Sequence, residues 1–144
     1  MINNYKVITL CGSTKFKDEF LKAQKDLTLK GYIVISVGLF GHSGDDEVWA
    51  EGTKEMLDDM HKSKIDLADE IYVINVDDYI GSSTKSEIEY AIKHGKKVNY
   101  LYPHKSDMSE DEEIELVGRR ILKEHINAFK QLGKWIKWLK LNKN

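Results

Sequence analysis

Apolar and polar positions in the first hundred residues switch repeatedly between a period of two and a period near 3.6. Lys6 to Leu10 is a short β-rich run that stops at Cys11-Gly12-Ser13-Thr14. The next stretch places Phe16, Phe20, Ala23 and Leu27 at spacings of four, three and four, one face of a helix. Ser13 or Thr14 is the expected cap of its start, and Gly31 sits where a left-handed C-terminal residue belongs. Tyr32 to Val37 (YIVISV) predicts a second, buried strand ending at Gly38. Residues 38 to 52 contain four glycines and the acidic pair Asp45-Asp46, and read as a long, mobile loop. Residues 53 to 68 carry Met56, Leu57, Met60, His61, Lys64, Ile65 and Ala68 at helical spacing. Ile71 to Val76 (IYVINV) is the most apolar run and predicts a third strand. Asp77 to Ser82 reads as a loop, a helix follows from Ser83 or Thr84 to Gly95, and Val98 to Leu101 predicts a fourth strand.

Strands alternating with helices of ten to sixteen residues imply right-handed crossovers and a parallel sheet. Covering both sheet faces explains continuous apolar runs such as IYVINV. The expected fold is a small three-layer α/β/α sandwich of Rossmann or flavodoxin type. After Pro103 the composition changes. Residues 105 to 115 carry six acidic side chains and one lysine, either a solvated helix start or a loose connection. Residues 126 to 144 carry five lysines and no acid, with Leu132, Trp135, Ile136 and Leu139 on one helical face and Lys130, Lys134 and Lys137 on the other. The whole reads as one domain, 1–144, with a C-terminal helical extension from about 105. That helix is expected to pack on the sheet or on a second copy, ahead of a membrane surface or nucleic acid.

Composition narrows the function. The 144 residues are 41% hydrophobic and 32% charged, ordinary for a globular protein. Twenty-two basic against twenty-four acidic residues give a net charge of −2, which argues against gripping nucleic-acid phosphates. One cysteine excludes a disulfide framework and a cysteine-cluster zinc site. No histidine or acid spacing suggests a metal site, and no redox cofactor is implied. No apolar run reaches 18 residues, and the start of the chain lacks a signal-peptide segment, so a cytoplasmic location is expected.

Polar residues gather after the strands, where open parallel sheets bind ligands. The first strand leads into Gly12, Ser13, Thr14 and Lys15, and the second into Gly38, Gly41, His42 and Ser43. The third leads into Asp77, Asp78, Gly81, Ser82, Ser83, Thr84 and Glu87. Three separate loops therefore converge on one crevice, the mark of a small-molecule site. The first loop suits an anion: Gly12 allows close backbone approach, Ser13 and Thr14 offer hydroxyls, Lys15 adds a charge, and a helix start presents free N–H groups. Glu87 admits two readings. Thr84-Lys85-Ser86-Glu87 matches a capping box. Alternatively, Glu87 is a crevice carboxylate kept ionised by the helix dipole and able to attack an electrophilic sugar carbon. His61 and Asp66 read as packed or surface residues of their helix. His42 lies beside the crevice as a candidate substrate contact, and Cys11 reads as core.

The runs Ile8-Thr9-Leu10-Cys11-Gly12-Ser13-Thr14, Ala68-Asp69-Glu70-Ile71, and Glu87-Ile88-Glu89-Tyr90-Ala91 with Gly95-Lys96-Lys97-Val98 resemble the nucleoside 2-deoxyribosyltransferase family. That family includes the 2′-deoxynucleoside 5′-phosphate N-hydrolases. The resemblance covers about residues 6 to 102. It implies cleavage or transfer at the N-glycosidic bond of a (deoxy)nucleoside or its 5′-monophosphate, with Glu87 as nucleophile. It implies that Gly12 and Ser13 hold the sugar or its phosphate, with Ser82, Ser83 and Thr84 in a phosphate-binding stretch. Two positions depart from the family pattern: Thr9 stands where the family has a tyrosine, and a gapless count puts His61 where it has an aspartate. A shifted alignment puts Asp58 or Asp66 there. His61 or a nearby acid is then the expected proton donor. The resemblance also implies a homo-oligomer. The alternative is a non-catalytic nucleotide-binding or sensor module on the same fold.

Overall fold

The apolar run that opens the chain forms the central strand, β1 (Val7–Gly12), of a four-stranded parallel sheet in the computed structural model, which describes residues 1–44, 49–104 and 110–142. The elements then follow as α1 (Lys17–Leu29), β2 (Ile33–Ile35), α2 (Thr53–Leu67), β3 (Glu70–Ile74), α3 (Ser82–Lys93), β4 (Lys97–Tyr100) and α4 (Glu110–Leu141). Strand order is β2-β1-β3-β4, all parallel. The expected α/β sandwich is therefore present. The order reverses between β1 and β3, so the chain leaves these neighbours in opposite directions and opens a crevice beyond their carboxyl ends.

Strand alternation divides the core. Ile8, Leu10 and Ile74 face α1 and pack with Phe20, Ala23 and Leu27. Cys11, Ile71 and Val73 face the other way and pack with Ile65 of α2 and Ala91 of α3. The Thr9 hydroxyl, on that second face, donates to the Lys64 carbonyl at 2.8 Å and ties β1 to α2. At the amino ends of the strands, the Asp69 carboxylate accepts the Val7 N–H at 2.7 Å and the N-terminal ammonium at 2.8 Å. Lys96 Nζ donates to the Ala68 carbonyl at 2.7 Å, closing the turn after α2.

Several expected boundaries move, each for a local reason. α1 starts at Lys17 with Phe16 as its cap residue and no side-chain cap bond. Ser13 and Thr14 do not cap it, because the chain first makes a turn in which the Phe16 N–H donates to the Ser13 carbonyl at 3.1 Å. Gly31 adopts the expected left-handed conformation, φ +93°. β2 is a three-residue edge strand and partly exposed, not a buried one. α3 starts at Ser82 with extended Gly81 as its cap. Thr84 is thus its third residue, and the Thr84–Glu87 capping box does not form. Within the expected loop 38–52, Gly41–Ser43 make one 3-10 turn, and Ser43 Oγ donates to the Thr14 carbonyl at 2.6 Å. Asp45 and Asp46, residues 105–109 of the acidic stretch and residues 143–144 lie outside the described residues.

The chain forms two compact units, Met1–Tyr102 and Pro103–Asn144. In the second, α4 joins part of the acidic stretch and the lysine-rich stretch in one continuous helix, with Leu132, Trp135, Ile136 and Leu139 all exposed. Among the described residues, no helix is long and apolar enough to cross a membrane.

Gly12 is a packing requirement of this fold. Its φ is +153°, and a Cβ there would lie 3.0 Å from both the Cβ and the carbonyl oxygen of Ile74 on the adjacent strand. Gly12→Ala is expected to destabilise the chain by about 1–3 kcal/mol in chemical denaturation, the usual range for overpacking. A loss below about 0.5 kcal/mol, the size of a neutral surface change, would show that β1 and β3 separate freely there.

Candidate functional site

Beyond the carboxyl ends of β1 and β3 lies a cavity of about 320 Å³. Such a volume is at the lower end of small-ligand sites. Its wall includes Gly12, Ser13 and Thr14 after β1, His42 in the 3-10 turn, and Ser82, Ser83 and Thr84 in the first turn of α3. Lys54, Asp58, His61 and Lys64 enter from α2, and Glu87 from the second turn of α3. The convergence expected from three loops is present, with α2 adding a fourth side.

Two expected contacts lie elsewhere. Lys15 is exposed and absent from the wall; its Nζ sits 3.4 Å from the Tyr79 ring centroid, a cation–π contact. Asp78 is also absent from the wall, while Tyr79 after it lines the cavity. Asp77 and Asp78 both adopt positive φ, +52° and +57°, a strained pair that turns the chain from β3 toward α3. Gly12 borders the cavity and also permits the close approach of β1 to Ile74.

Where His61 and Glu87 line the cavity they meet the buried Cys11 behind them, so that side chains from three elements come together. Cys11, next to last in β1, is on the face that looks toward α2 and α3 and is fully buried. His61 Nε2 is 3.4 Å from Cys11 Sγ and 3.7 Å from Glu87 Oε2. The side chains of His61 and Glu87 are only 8% and 14% exposed. Donor atoms of the three all lie within 4.8 Å of one another.

Burial sets their protonation. It holds His61 down at about 4, with the Lys64 ammonium adding to the effect. It pushes Glu87 up to about 7, helped by the negative charge of Asp58. It also raises the Cys11 thiol, with the Glu87 carboxylate adding to it. The His61–Glu87 contact is therefore not an ion pair at neutral pH, because the imidazole is neutral. Two expectations change as a result. Glu87 is not held ionised in the ordinary carboxylate range, since desolvation raises it to about 7. His61 is a poor proton donor, since its imidazolium is scarcely populated near pH 7.

Cys11 is core, as expected, and sequence reasoning did not foresee that it also meets His61; it gave Lys54 and Lys64 no role. Lys64 Nζ donates to the Ser36 carbonyl at 2.9 Å, which anchors a charge in the cavity wall. Lys54 pairs with Asp58 at 2.8 Å. Asp66, the other candidate acid, accepts from the Tyr90 hydroxyl at 2.8 Å on the exposed side of α2 and is not in the cavity wall. The signal that could have found Cys11 is parity: odd positions of β1 share one face, and His61 and Ile65 share the helix face that covers it.

The chain matches no protein-family model and no curated protein.

The two shifted groups act oppositely on stability. Glu87, raised from 4.5 to about 7, contributes stability below pH 4.5 that is lost as the pH rises through 7. His61, lowered from 6.5 to about 4, contributes stability above pH 6.5 that is lost as the pH falls through 4. Glu87→Gln removes the first effect alone. Relative to the parent, the variant is expected to gain about 1–3 kcal/mol between pH 5 and pH 8 in metal-free urea denaturation. A difference that does not change with pH would mean that Glu87 is already ionised in the folded state at pH 5.

Proposed function

We propose that the protein cleaves or transfers at the N-glycosidic bond of a (deoxy)nucleoside or its 5′-monophosphate, with Glu87 as nucleophile, as a divergent relative of the nucleoside 2-deoxyribosyltransferases. The observation that carries this reading is a desolvated carboxylate at the floor of a cavity of about 320 Å³, beyond the switch point of a parallel sheet. A carboxylate with a pKa near 7 is a stronger base than an exposed one, and its ionised form is a correspondingly better nucleophile.

The chemistry parallels a retaining glycosidase. A Glu87 oxygen attacks C1′ as the C1′–N bond breaks, and the base leaves with the bonding electrons and takes up a proton. Asp58, the other carboxyl in the cavity wall, is ion-paired with Lys54, so the departing base takes its proton from water. Water, or the nitrogen of a second base, then attacks C1′. This breaks the ester, returns the carboxylate and releases one proton. Ser82, Ser83 and Thr84 at the uncapped start of α3, with Ser13 and Thr14 opposite, offer hydroxyls and N–H groups to a 5′-phosphate. His42 borders the entrance as a substrate contact.

One observation favours the rival reading, a non-catalytic nucleotide sensor. Thr9, at the position of the family tyrosine, is fully buried and bonded to the Lys64 carbonyl, so it offers nothing to a substrate.

The deciding experiment is incubation with mixed deoxynucleosides and deoxynucleoside monophosphates, followed by detection of free base. Release is expected, abolished in Glu87→Gln with the fold retained. The rate should rise about tenfold per pH unit below 7 and level off above it, because only ionised Glu87 attacks. Binding across the panel without base release would establish the sensor. In calorimetry, a monophosphate should bind roughly tenfold or more tightly than its nucleoside, the effect of one or two charge-assisted hydrogen bonds. Equal affinities would remove the phosphate from the proposal.

A further inference from the structure

The meeting of a thiol, an imidazole and a carboxylate beside the cavity suits a ligand that no nucleoside chemistry requires. We propose that Cys11 Sγ, His61 Nε2 and one Glu87 carboxylate oxygen form a binding site for a soft divalent cation of the zinc type, with a fourth position open to the cavity.

Geometry is the first support. Zinc bonds of about 2.0–2.3 Å at tetrahedral angles hold neighbouring donor atoms roughly 3.3–3.7 Å apart. Here Sγ to Nε2 is 3.4 Å and Nε2 to Oε2 is 3.7 Å, with all three donors inside 4.8 Å. Two of the three donor pairs therefore stand at coordination distances, and the Cys11–Glu87 pair lies within 4.8 Å. The donor set is the second support. A mixed sulfur, nitrogen and oxygen set suits zinc or cobalt, whereas magnesium and calcium take oxygen alone. Rigidity is the third. Cys11 is on the central strand, His61 on α2 and Glu87 on α3, three elements packed against one another. Access is the fourth: His61 and Glu87 line the cavity while Cys11 lies behind them, so the remaining position faces solvent and ligand.

Binding forms three metal–ligand bonds. It releases the Cys11 thiol proton, and the Glu87 proton where present, to solvent. A bound cation occupies the Glu87 lone pair, so cation and sugar compete for one carboxylate. That competition rests on the glycosidic reading; the cation site itself does not.

The test uses the full chain stripped with a chelator and titrated with cobalt(II) in the absence of oxygen and of nucleoside. A thiolate-to-cobalt charge-transfer band is expected, saturating at one equivalent and displaced by zinc. Cys11 is the chain's one cysteine, so the band has no other possible origin. Cys11→Ser should abolish the band and weaken zinc binding in calorimetry by at least about tenfold. Glu87→Gln should keep the band and bind zinc more weakly. No band on the parent protein overturns the site, whether or not Cys11→Ser folds. A folded Cys11→Ser variant that binds zinc as the parent does overturns it as well. Because the band is read without nucleoside, its absence leaves the base-release test intact, and failure of base release leaves the band intact. Zinc added to active, chelator-stripped protein should stop base release, reversibly with chelator. Zinc-loaded protein that still releases base overturns the competition.

Discussion

The alternation of side chains along β1 is the constraint from which the site follows. Residues with period two point to opposite faces, so Ile8 and Leu10 are committed to the α1 core, and Thr9 and Cys11 to the α2–α3 side. Thr9 fastens α2 through the Lys64 carbonyl, and one step further along the same face Cys11 receives His61 from α2. A slip of one residue would turn Cys11 into the α1 core and leave His61 and Glu87 against an apolar side chain. Gly12 holds the register, because the Ile74 backbone and Cβ leave no room for a larger residue there. The site is therefore an edge of the hydrophobic core, and the same packing that stabilises the sheet desolvates its chemistry.

That desolvation decides which groups carry charge. An exposed histidine beside an exposed glutamate would form an ion pair. Here both sit in low-dielectric surroundings, where neutralising each group separately costs less than burying two charges. The imidazole loses its proton, and the carboxyl retains one to near neutrality. Lys64 and Asp58 reinforce this from α2, Lys64 acting on His61 and Asp58 on Glu87. A small change of surroundings, such as a sugar displacing water or a cation replacing the protons, shifts the balance of the whole cluster. Perturbed groups in a cavity are the pattern expected of a functional site.

Local periodicity made most of the fold legible. The β–α alternation, the helix of 53–68 and the left-handed Gly31 are properties of short windows, and they appear close to where the pattern places them. Features set by tertiary neighbours were not legible. YIVISV has the composition of a buried strand, but strand order puts it at the sheet edge, where three residues pair and the rest bends away. Thr84 and Glu87 have capping-box spacing, yet Gly81 ends the preceding loop earlier, and Thr84 is buried within the helix. Cys11, His61 and Glu87 are separated by 50 and 26 residues in the chain, so no local motif joins them. The convergence of three loops on one crevice was legible because it follows from topology alone. The cluster beside it required the packing of α2 against α3.

The motifs behind the family resemblance divide in the same way. Asp69 binds the Val7 N–H and the chain's own amino terminus, and Lys96 holds the Ala68 carbonyl; both sit at the amino ends of the strands, away from the cavity. These residues suit any chain that must close this sheet, so their resemblance speaks to architecture. Glu87 is different. A carboxyl in the second turn of α3, raised to about 7 by burial, gives the fold no hydrogen-bonded cap and costs stability whenever it ionises. A glutamine at that position would avoid the cost of ionisation. The cavity wall beside it is built from residues that packing alone also does not require: three hydroxyls at an uncapped helix start and a lysine aimed at backbone carbonyls. The Glu87 carboxyl is thus a local choice that works against stability inside a cavity, and that is the point at which a functional role is to be tested.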